Sequence, residues 1–358
     1  MLNTSSHCLT ERQMMLAVNG PERLFIGTIV PILIVFGISG NILNLTVLLA
    51  PNMRTRSNLL LASLAVADII FLIFMLPHCL AHYKIFALSY YFRLFYLCKM
   101  HLLAILNWAS AVAIWLVLVI CLERLMGIKY PLSVRKHKKI LTPAVIVSAI
   151  VITTGILTSY SHLRYSCATR YFCDGTQIHS MCILTDSDKW FPNQTNPNSE
   201  LVKSIARWGP HVNAIFVIFI PILLVLISNS MLIYTIRQRQ KYFLNQQHSI
   251  KSESHLNGGQ SRTEHKITIT VTAIVTSFII TQGPSAFATI MAEYYSNTNP
   301  WMLAMMSFIT TMVVLGKALN FVLFCLSSAT FRSRLLMQTK KSLMRQTTRY
   351  ATVAANVE

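Results

Sequence analysis

Residues 100–125 of the chain read MHLLAILNWASAVAIWLVLVICLERL, and this stretch carries no Lys, Arg, Asp or Glu before Glu123. A helix of about 20 apolar residues can cross a bilayer, whereas a helix in water would need a polar face that this one lacks. Six further stretches have the same character, two of them with a single charge, Asp68 or Lys317: 24–53, 57–83, 140–163, 208–236, 267–292 and 294–331. The sequence therefore predicts an all-α fold, a bundle of seven membrane-spanning helices.

The composition agrees with a membrane protein, since 54% of the 358 residues are hydrophobic, 12% are charged and the mean hydropathy is +0.52. The net charge of +19 raises the possibility of nucleic-acid binding. However, many of the basic residues lie in segments that fall on the same side of the predicted bundle, namely 135–139, 237–241 and 332–349. Lys and Arg are enriched in cytoplasmic loops, so this bias predicts an outer N-terminus and contacts with lipid headgroups rather than nucleic acid.

This orientation divides the chain into an extracellular N-terminus (1–23), a seven-helix domain (24–331) and a cytoplasmic tail (332–358) that begins with a short amphipathic helix. Asn3 and Asn193 stand in Asn-X-Thr/Ser sequons on the predicted outer side and are predicted glycosylation sites. The sequence shows no internal repeat, which disfavours a secondary transporter. It also shows no phosphate-binding Gly-rich loop and no HExxH pair, so we expect no enzyme activity, cofactor or metal site.

Five of the eight cysteines fall in predicted outer segments: Cys8, Cys98, Cys167, Cys173 and Cys182. The extracellular environment is oxidising, so we expect disulfide bonds among them. The sequence leaves their connectivity open.

Motifs in six of the seven spans resemble those of the rhodopsin-like (class A) G-protein-coupled receptors, and the resemblance covers nearly the whole chain. The motifs are Gly40-Asn41, Leu64–Asp68, Cys98 with Glu123-Arg124, Pro221, Pro284, and Asn320–Phe324 followed by Phe331-Arg332. Within this class, Thr281–Pro284 and Leu319–Cys325 resemble the invertebrate FMRFamide- and myosuppressin-type neuropeptide receptors. The chain departs from the class at Gln282, which replaces a tryptophan, at Asn229 and Phe324, which each replace a tyrosine, and in the fourth span, which has no Trp.

The resemblance implies an activation site at the inner ends of the helices, formed by Glu123, Arg124, Glu264, Asn320 and Phe324. An ion pair of Arg124 with Glu264 would close the cleft that admits the G protein, and Glu264 could instead be a solvated residue.

Asp68 and Lys317 are charges inside membrane spans, which are costly and indicate function. The resemblance places Asp68 at a sodium site, and Lys317 lies three residues before Asn320, on the same helix face. We therefore expect the Lys317 ammonium to pair with Asp68 and replace the sodium ion; alternatively, Lys317 points elsewhere.

The resemblance also implies a disulfide between Cys98 and the second outer loop, with Cys182 favoured over Cys173 as its partner. The remaining outer cysteines would then join Cys8 to that loop.

For the ligand, the resemblance implies a secreted peptide ending in Arg-Phe-amide, whose guanidinium needs a carboxylate. Glu293 is the first candidate, and Asp186 and Asp188 are the alternatives. Other side chains predicted to line the pocket are Gln282, Trp108, Asn107, His101, His78, Trp208 and His211, although each could be ordinary helix packing.

The sequence thus predicts a multi-pass plasma-membrane receptor for a neuropeptide that activates heterotrimeric G proteins, with the inhibitory class favoured. Arrestin and a receptor kinase are expected partners of the tail. The alternatives are a chemoreceptor of the same fold for a small molecule and, less favoured, a secondary transporter.

Overall fold

The structure is a computed structural model. It describes residues 4–14, 20–51, 54–87, 89–129, 142–188, 190–191, 195–249, 272–273, 275–285, 287–288, 300–327, 332–333 and 335–337. The α-helices whose bounds are fully described are, in chain order, α1 (Glu11–Met14), α2 (Gly20–Leu24), α3 (Val30–Leu48), α4 (Arg56–Leu80), α5 (Lys84–Ala87), α6 (Tyr90–Lys129), α7 (Pro143–Thr158), α8 (Glu200–Val212), α9 (Ile220–Ser249) and α10 (Pro300–Ser327).

Six helical segments of the described residues are long and apolar enough to cross a membrane: 20–48, 56–80, 94–129, 143–162, 200–238 and 301–322. They correspond to six of the seven predicted spans. The other predicted span, 267–292, falls largely outside the described residues, but residues 275–285 within it are helical. The helical bundle predicted from the sequence is therefore confirmed. We call the end that carries residues 4–14 the outer end, following the predicted orientation.

Prolines explain where two of these segments widen into π-helical turns, at Phe25–Ile29 and at Asn213–Phe219. Pro31 has no N–H group, so it cannot donate to the carbonyl of Gly27 as a helical residue would. The hydroxyl of Tyr83 donates to that carbonyl instead, at 2.6 Å. Pro221 follows the second π turn in the same way. Side-chain caps begin other helices, as where the Thr55 hydroxyl accepts from Asn58 N–H at 3.2 Å.

Two glycines allow α3 and α10 to approach closely. A Cβ atom on Gly40 would lie 2.7 Å from Cβ of Phe321, and one on Gly37 would lie 3.1 Å from Cβ of Ala318. The first distance is shorter than Cβ atoms show in proteins and the second is unusually tight, so a side chain at Gly40 would require α3 and α10 to shift apart and one at Gly37 would crowd them. This close approach brings Lys317 of α10 within reach of the bundle interior.

A three-stranded sheet in the outer segments is the element that the sequence did not predict. Its strands are β1 (Thr4–Ser5), β2 (Tyr165–Phe172) and β3 (Gln177–Leu184), in the order β1-β2-β3. Strands β2 and β3 form an antiparallel hairpin, and β1 pairs with β2 in parallel. Three successive residues of the turn have positive φ angles, namely Cys173, Asp174 and Gly175. Of these, Gly175 adopts this conformation without steric cost because it has no Cβ atom.

Candidate functional site

A buried ion pair joins α4 and α10 in the middle of the bundle. Lys317 Nζ lies 3.0 Å from Asp68 Oδ1, and each side chain is only 2% exposed. Asn320, one turn further along α10, donates its amide to the other carboxylate oxygen of Asp68. The Lys317 ammonium also lies 4.5 Å from the ring centroid of Phe71, a distance at which cation and ring attract each other. The pairing expected from the sequence is thus present in the structure.

The backbone around this pair is held by Asn41 of α3, which is fully buried. Its amide donates to the carbonyl of Lys317 at 3.2 Å and to the carbonyl of Gly37 at 2.9 Å. A buried charge is tolerated when it is paired and hydrogen-bonded. Here Asp68 has two partners and Lys317 has both a carboxylate and an aromatic face, so the centre contains no uncompensated charge.

At the inner end of the bundle, Glu123 of α6 turns towards the beginning of α4. It accepts a hydrogen bond from the Ser57 hydroxyl at 2.9 Å, and its Oε1 lies 3.4 Å from Nε of Arg56. The neighbouring Arg124 has a buried Nε with no hydrogen-bond partner among the described residues. Glu123 therefore ties α4 to α6, while Nε of Arg124 keeps its hydrogen-bonding capacity.

Two predicted activation residues cannot be placed. Glu264 lies outside the described residues, as does the side chain of Phe324, so the expected Arg124–Glu264 pair stays a prediction. Asn320 contacts the buried carboxylate rather than the inner end. The sequence reasoning missed Arg56 and Ser57, since nothing in their local pattern marks them as partners of Glu123.

Several of the side chains predicted to line the ligand pocket make contacts between helices and turns in the described part of the chain. Asn107 donates to the Ser161 hydroxyl at 3.0 Å, and Nδ1 of His101 lies 3.0 Å from Nδ1 of His162. Gln282 is buried and its amide reaches the carbonyl of Val313 at 3.4 Å. These contacts hold helices and turns together.

Three more of the predicted pocket residues also have other surroundings. Trp208 is 63% exposed and its ring packs against His211, which is exposed as well, so these two face outward. His78 is partly buried at the outer end of α4, where its ring meets the edge of Phe95. The rotation of each helix about its axis decides which way these side chains face, and the sequence pattern did not determine that rotation.

Trp108 of α6 packs against α7. Its indole N–H donates to the carbonyl of Val151 at 3.1 Å, and its ring lies against Gly155, where a Cβ would be 3.3 Å away. The same ring lines a cavity of about 420 Å³ whose other walls come from α4, α6 and α7. Val66 and Ile70 of this wall are 44% and 40% exposed on the lipid-facing surface. The indole from α6 thus supplies a ring against the fourth span, which has no Trp of its own.

Of the predicted carboxylates for the ligand, Glu293 lies outside the described residues. Asp186 is engaged, since its Oδ2 lies 3.3 Å from Nε of Arg207, whereas Asp188 is exposed. Both sequon asparagines, Asn3 and Asn193, also lie outside the described residues.

The disulfide prediction of Cys98 with Cys182 is wrong in this structure. Cys182 is bonded to Cys167, and Cys98 is a free thiol. The reason is the hairpin, because the register of β2 and β3 places Cys167 and Cys182 directly opposite each other, and directly opposed residues have adjacent Cβ atoms. The second disulfide joins Cys8 to Cys173, so the expected link between the N-terminal segment and the outer loop is confirmed.

Comparison with known families agrees with this architecture. Residues 28–338 match the family described as "Serpentine type 7TM GPCR chemoreceptor Srw". The chain belongs to this family. It is therefore a G-protein-coupled receptor, a multi-pass protein of the plasma membrane that couples an extracellular ligand to a G protein, and its family consists of receptors rather than enzymes.

Individual relatives have similar descriptions. A putative G-protein coupled receptor of Caenorhabditis elegans is 58% identical over 343 residues, which cover 96% of this chain and 79% of the relative. The sex peptide receptor-related protein 2 of the same organism is 24% identical over 87% of this chain and 70% of its own. The allatostatin-A receptor of Bombyx mori is 28% identical over 169 residues, which cover 45% of this chain and 44% of the relative. The prediction of a G-protein-coupled receptor is thus supported, and the family match names the Srw branch.

Proposed function

We propose that this receptor binds a secreted neuropeptide, that peptides ending in Arg-Phe-amide are the first class to test, and that the rhodopsin-like activation scheme applies to it. The observation that carries the proposal is the three-stranded sheet at the outer end, which two disulfides crosslink. Strands β2 and β3 are joined by one disulfide, and a second disulfide fixes them to the N-terminal segment. A pre-organised surface lowers the entropic cost of ordering an extended ligand. The names of two relatives, sex peptide receptor-related protein 2 and the allatostatin-A receptor, favour a peptide ligand of unspecified sequence.

The guanidinium of such a peptide needs a free carboxylate at the outer end. Glu293 is the first candidate, and the exposed Asp188 is the second. Asp186 ranks last because it would have to give up Arg207.

Activation in this proposal is a two-state equilibrium that the peptide shifts by binding the active state more tightly. The Lys317 ammonium occupies the place that a sodium ion takes in related receptors, so signalling does not depend on sodium. Arg124, whose Nε has no described partner, is released from Glu264 and contacts the G protein, for which the inhibitory class is favoured. Arrestin and a receptor kinase would then act on the tail, and inner basic residues would contact lipid headgroups.

The second candidate is a chemoreceptor for a small molecule, which the family's own description favours. It would need an enclosed pocket near the outer end, built by residues such as Gln282 and His78. The family match leaves a secondary transporter without support.

The test is a G-protein activation assay in cells that express the tagged full-length chain, challenged with amidated Arg-Phe peptides from nanomolar to micromolar concentration. The same peptides with a free C-terminal acid serve as matched ligands. We expect a saturable response to the amides that is lost in Arg124→Ala with surface expression kept. We also expect Glu293→Gln to weaken it more than Asp188→Asn does.

Silence towards every peptide despite normal surface expression, together with a response to a small volatile or soluble odorant, would reject the peptide proposal and establish the chemoreceptor. A response to the acid forms as strong as to the amides would reject the amide-specific part alone.

A further inference from the structure

Two histidines from different elements face each other at the outer end of the bundle. His101 lies in α6, and His162 ends the 3₁₀ turn Ser159–His162 that follows α7. Their Nδ1 atoms are hydrogen-bonded to each other at 3.0 Å, with either ring able to donate, and their ring centroids are 5.2 Å apart. Both residues are exposed. A metal ion that bound both nitrogens would replace the proton between them. The two residues are 61 positions apart in the sequence, so no local sequence motif reveals the pairing.

The position of the pair makes it accessible from water. His101 precedes Arg124 by 23 residues, which is about 34 Å along an α-helix. The hydrocarbon core of a bilayer is about 30 Å thick, so a helix with Arg124 at the inner boundary carries His101 out to the opposite headgroup level. An ion in the extracellular fluid can therefore reach both rings.

The spacing of the two nitrogens matches the bite of a transition-metal ion. Imidazole nitrogens bind such ions at about 2.0–2.1 Å, so two ligands at a right angle are about 2.9 Å apart, and two at the tetrahedral angle are about 3.4 Å apart. The observed 3.0 Å fits the first arrangement, which is typical of the square or tetragonal sites of Ni²⁺ and Cu²⁺. Zn²⁺ would require the rings to separate by a few tenths of an ångström.

The surroundings hold the two rings in place. Asn107, on the same helix as His101, donates to the hydroxyl of Ser161, the neighbour of His162, at 3.0 Å. Trp108 bonds α6 to the carbonyl of Val151 deeper in the bundle. The packing of α6 against the end of α7 is therefore set by contacts that do not involve the histidines. Replacing either histidine should leave this packing, and the position of the other histidine, unchanged.

We propose that His101 and His162 form a binding site for a divalent first-row transition-metal ion, which bridges α6 to the segment that enters the outer hairpin. No group of three or more His, Cys, Asp or Glu in the described parts of the chain could hold a metal. The two imidazoles therefore supply two ligands, and water completes the coordination. Strand β2 begins at Tyr165, three residues after His162, so a bound ion clamps the base of the hairpin to the bundle.

The experiment uses the purified full-length receptor and the metal alone, so it does not depend on the proposed peptide function. Ni²⁺ and Zn²⁺ are titrated up to millimolar concentration while the unfolding temperature and the bound metal are measured. Because a ligand that binds only the folded state stabilises it, we expect a saturable rise of several degrees and one ion per chain, both reversed by a chelator.

His101→Gln and His162→Gln should each abolish the rise and the bound ion, whereas His211→Gln, an exposed histidine of α8 without this geometry, should leave both unchanged. If one variant reaches the membrane poorly, the other, on a different element, tests the same ligand set. A wild-type receptor that shows no metal-dependent rise would overturn the proposal. An equal rise in all three variants would do so as well.

Discussion

Two carboxylate–cation pairs of the described residues link α4 to other helices, and they lie in opposite surroundings. Asp68 and Lys317 are each 2% exposed with their charges 3.0 Å apart, whereas Arg56 and Glu123 are 28% and 19% exposed at 3.4 Å. In the buried pair each charge depends on the other, because neither can be solvated by water once its partner is gone. In the inner pair the side chains are partly exposed, so water and dissolved ions can take the place of either partner. The first pair is therefore suited to fixing the bundle, and the second to changing partners.

The largest expected effect is that of removing one member of the buried pair. Lys317→Met leaves an uncompensated carboxylate and should destabilise the receptor by about 3–5 kcal/mol. The measurement is thermal unfolding of the detergent-solubilised receptor together with its surface level. Lys203→Met is the matched control, since Lys203 pairs with Glu200 on the exposed face of α8, and it should change little.

A double variant sharpens this test. Asp68→Leu combined with Lys317→Met removes both charges and should recover most of the stability lost in Lys317→Met. If the double variant is no more stable than Lys317→Met, the loss comes from packing and not from an unpaired charge.

An intermediate effect is expected from Asn320→Leu, which removes one hydrogen bond to the Asp68 carboxylate but leaves its ammonium partner. Hydrogen bonds to charged groups contribute about 1.5–3 kcal/mol, so the loss should be smaller than for Lys317→Met. Asn229→Leu is the control, since its amide makes one long bond of 3.4 Å to the neutral Thr276 hydroxyl. An Asn320 variant as stable as the wild type would show that Asp68 needs only Lys317.

The smallest effect on stability is expected at the inner pair. Glu123→Gln should change the free energy of unfolding by no more than about 1 kcal/mol, because the partly exposed ion pair contributes little. A double-mutant cycle with Arg56→Gln, measured at low and high salt, gives the coupling energy directly. A coupling as large as that of Asp68 with Lys317 would remove the distinction between the two regions.

The sequence predicted the part of the fold and site that follows from patterns within single helices. Seven long apolar stretches, five of them uncharged and two with a single charge, predicted the spans. The three-residue spacing of Lys317 and Asn320 placed them on one face, from which the pairing with Asp68 was inferred. The pocket residues were less predictable, because which way Trp108 or Trp208 points depends on the rotation of each helix within the bundle. A uniformly apolar helix contains little information about that rotation.

The outer sheet was missed although a signal was present. Asp174-Gly175 lies between two segments rich in β-branched and aromatic residues, a pattern typical of a β-hairpin. Recognising that turn would have placed Cys167 opposite Cys182 and corrected the disulfide prediction. The contact of His101 with His162, in contrast, depends on the packing of α6 against the turn after α7 and could not be read from local sequence.

The most direct test of the central claim compares sodium with other cations at equal ionic strength. The unfolding temperature of the full-length receptor is measured in sodium chloride and in choline chloride, for the wild type and for Lys317→Ala. If the Lys317 ammonium fills the cation position beside Asp68, the wild type should unfold at the same temperature in both salts, and Lys317→Ala should gain a saturable stabilisation by sodium alone. A sodium-specific stabilisation of the wild type would contradict the account.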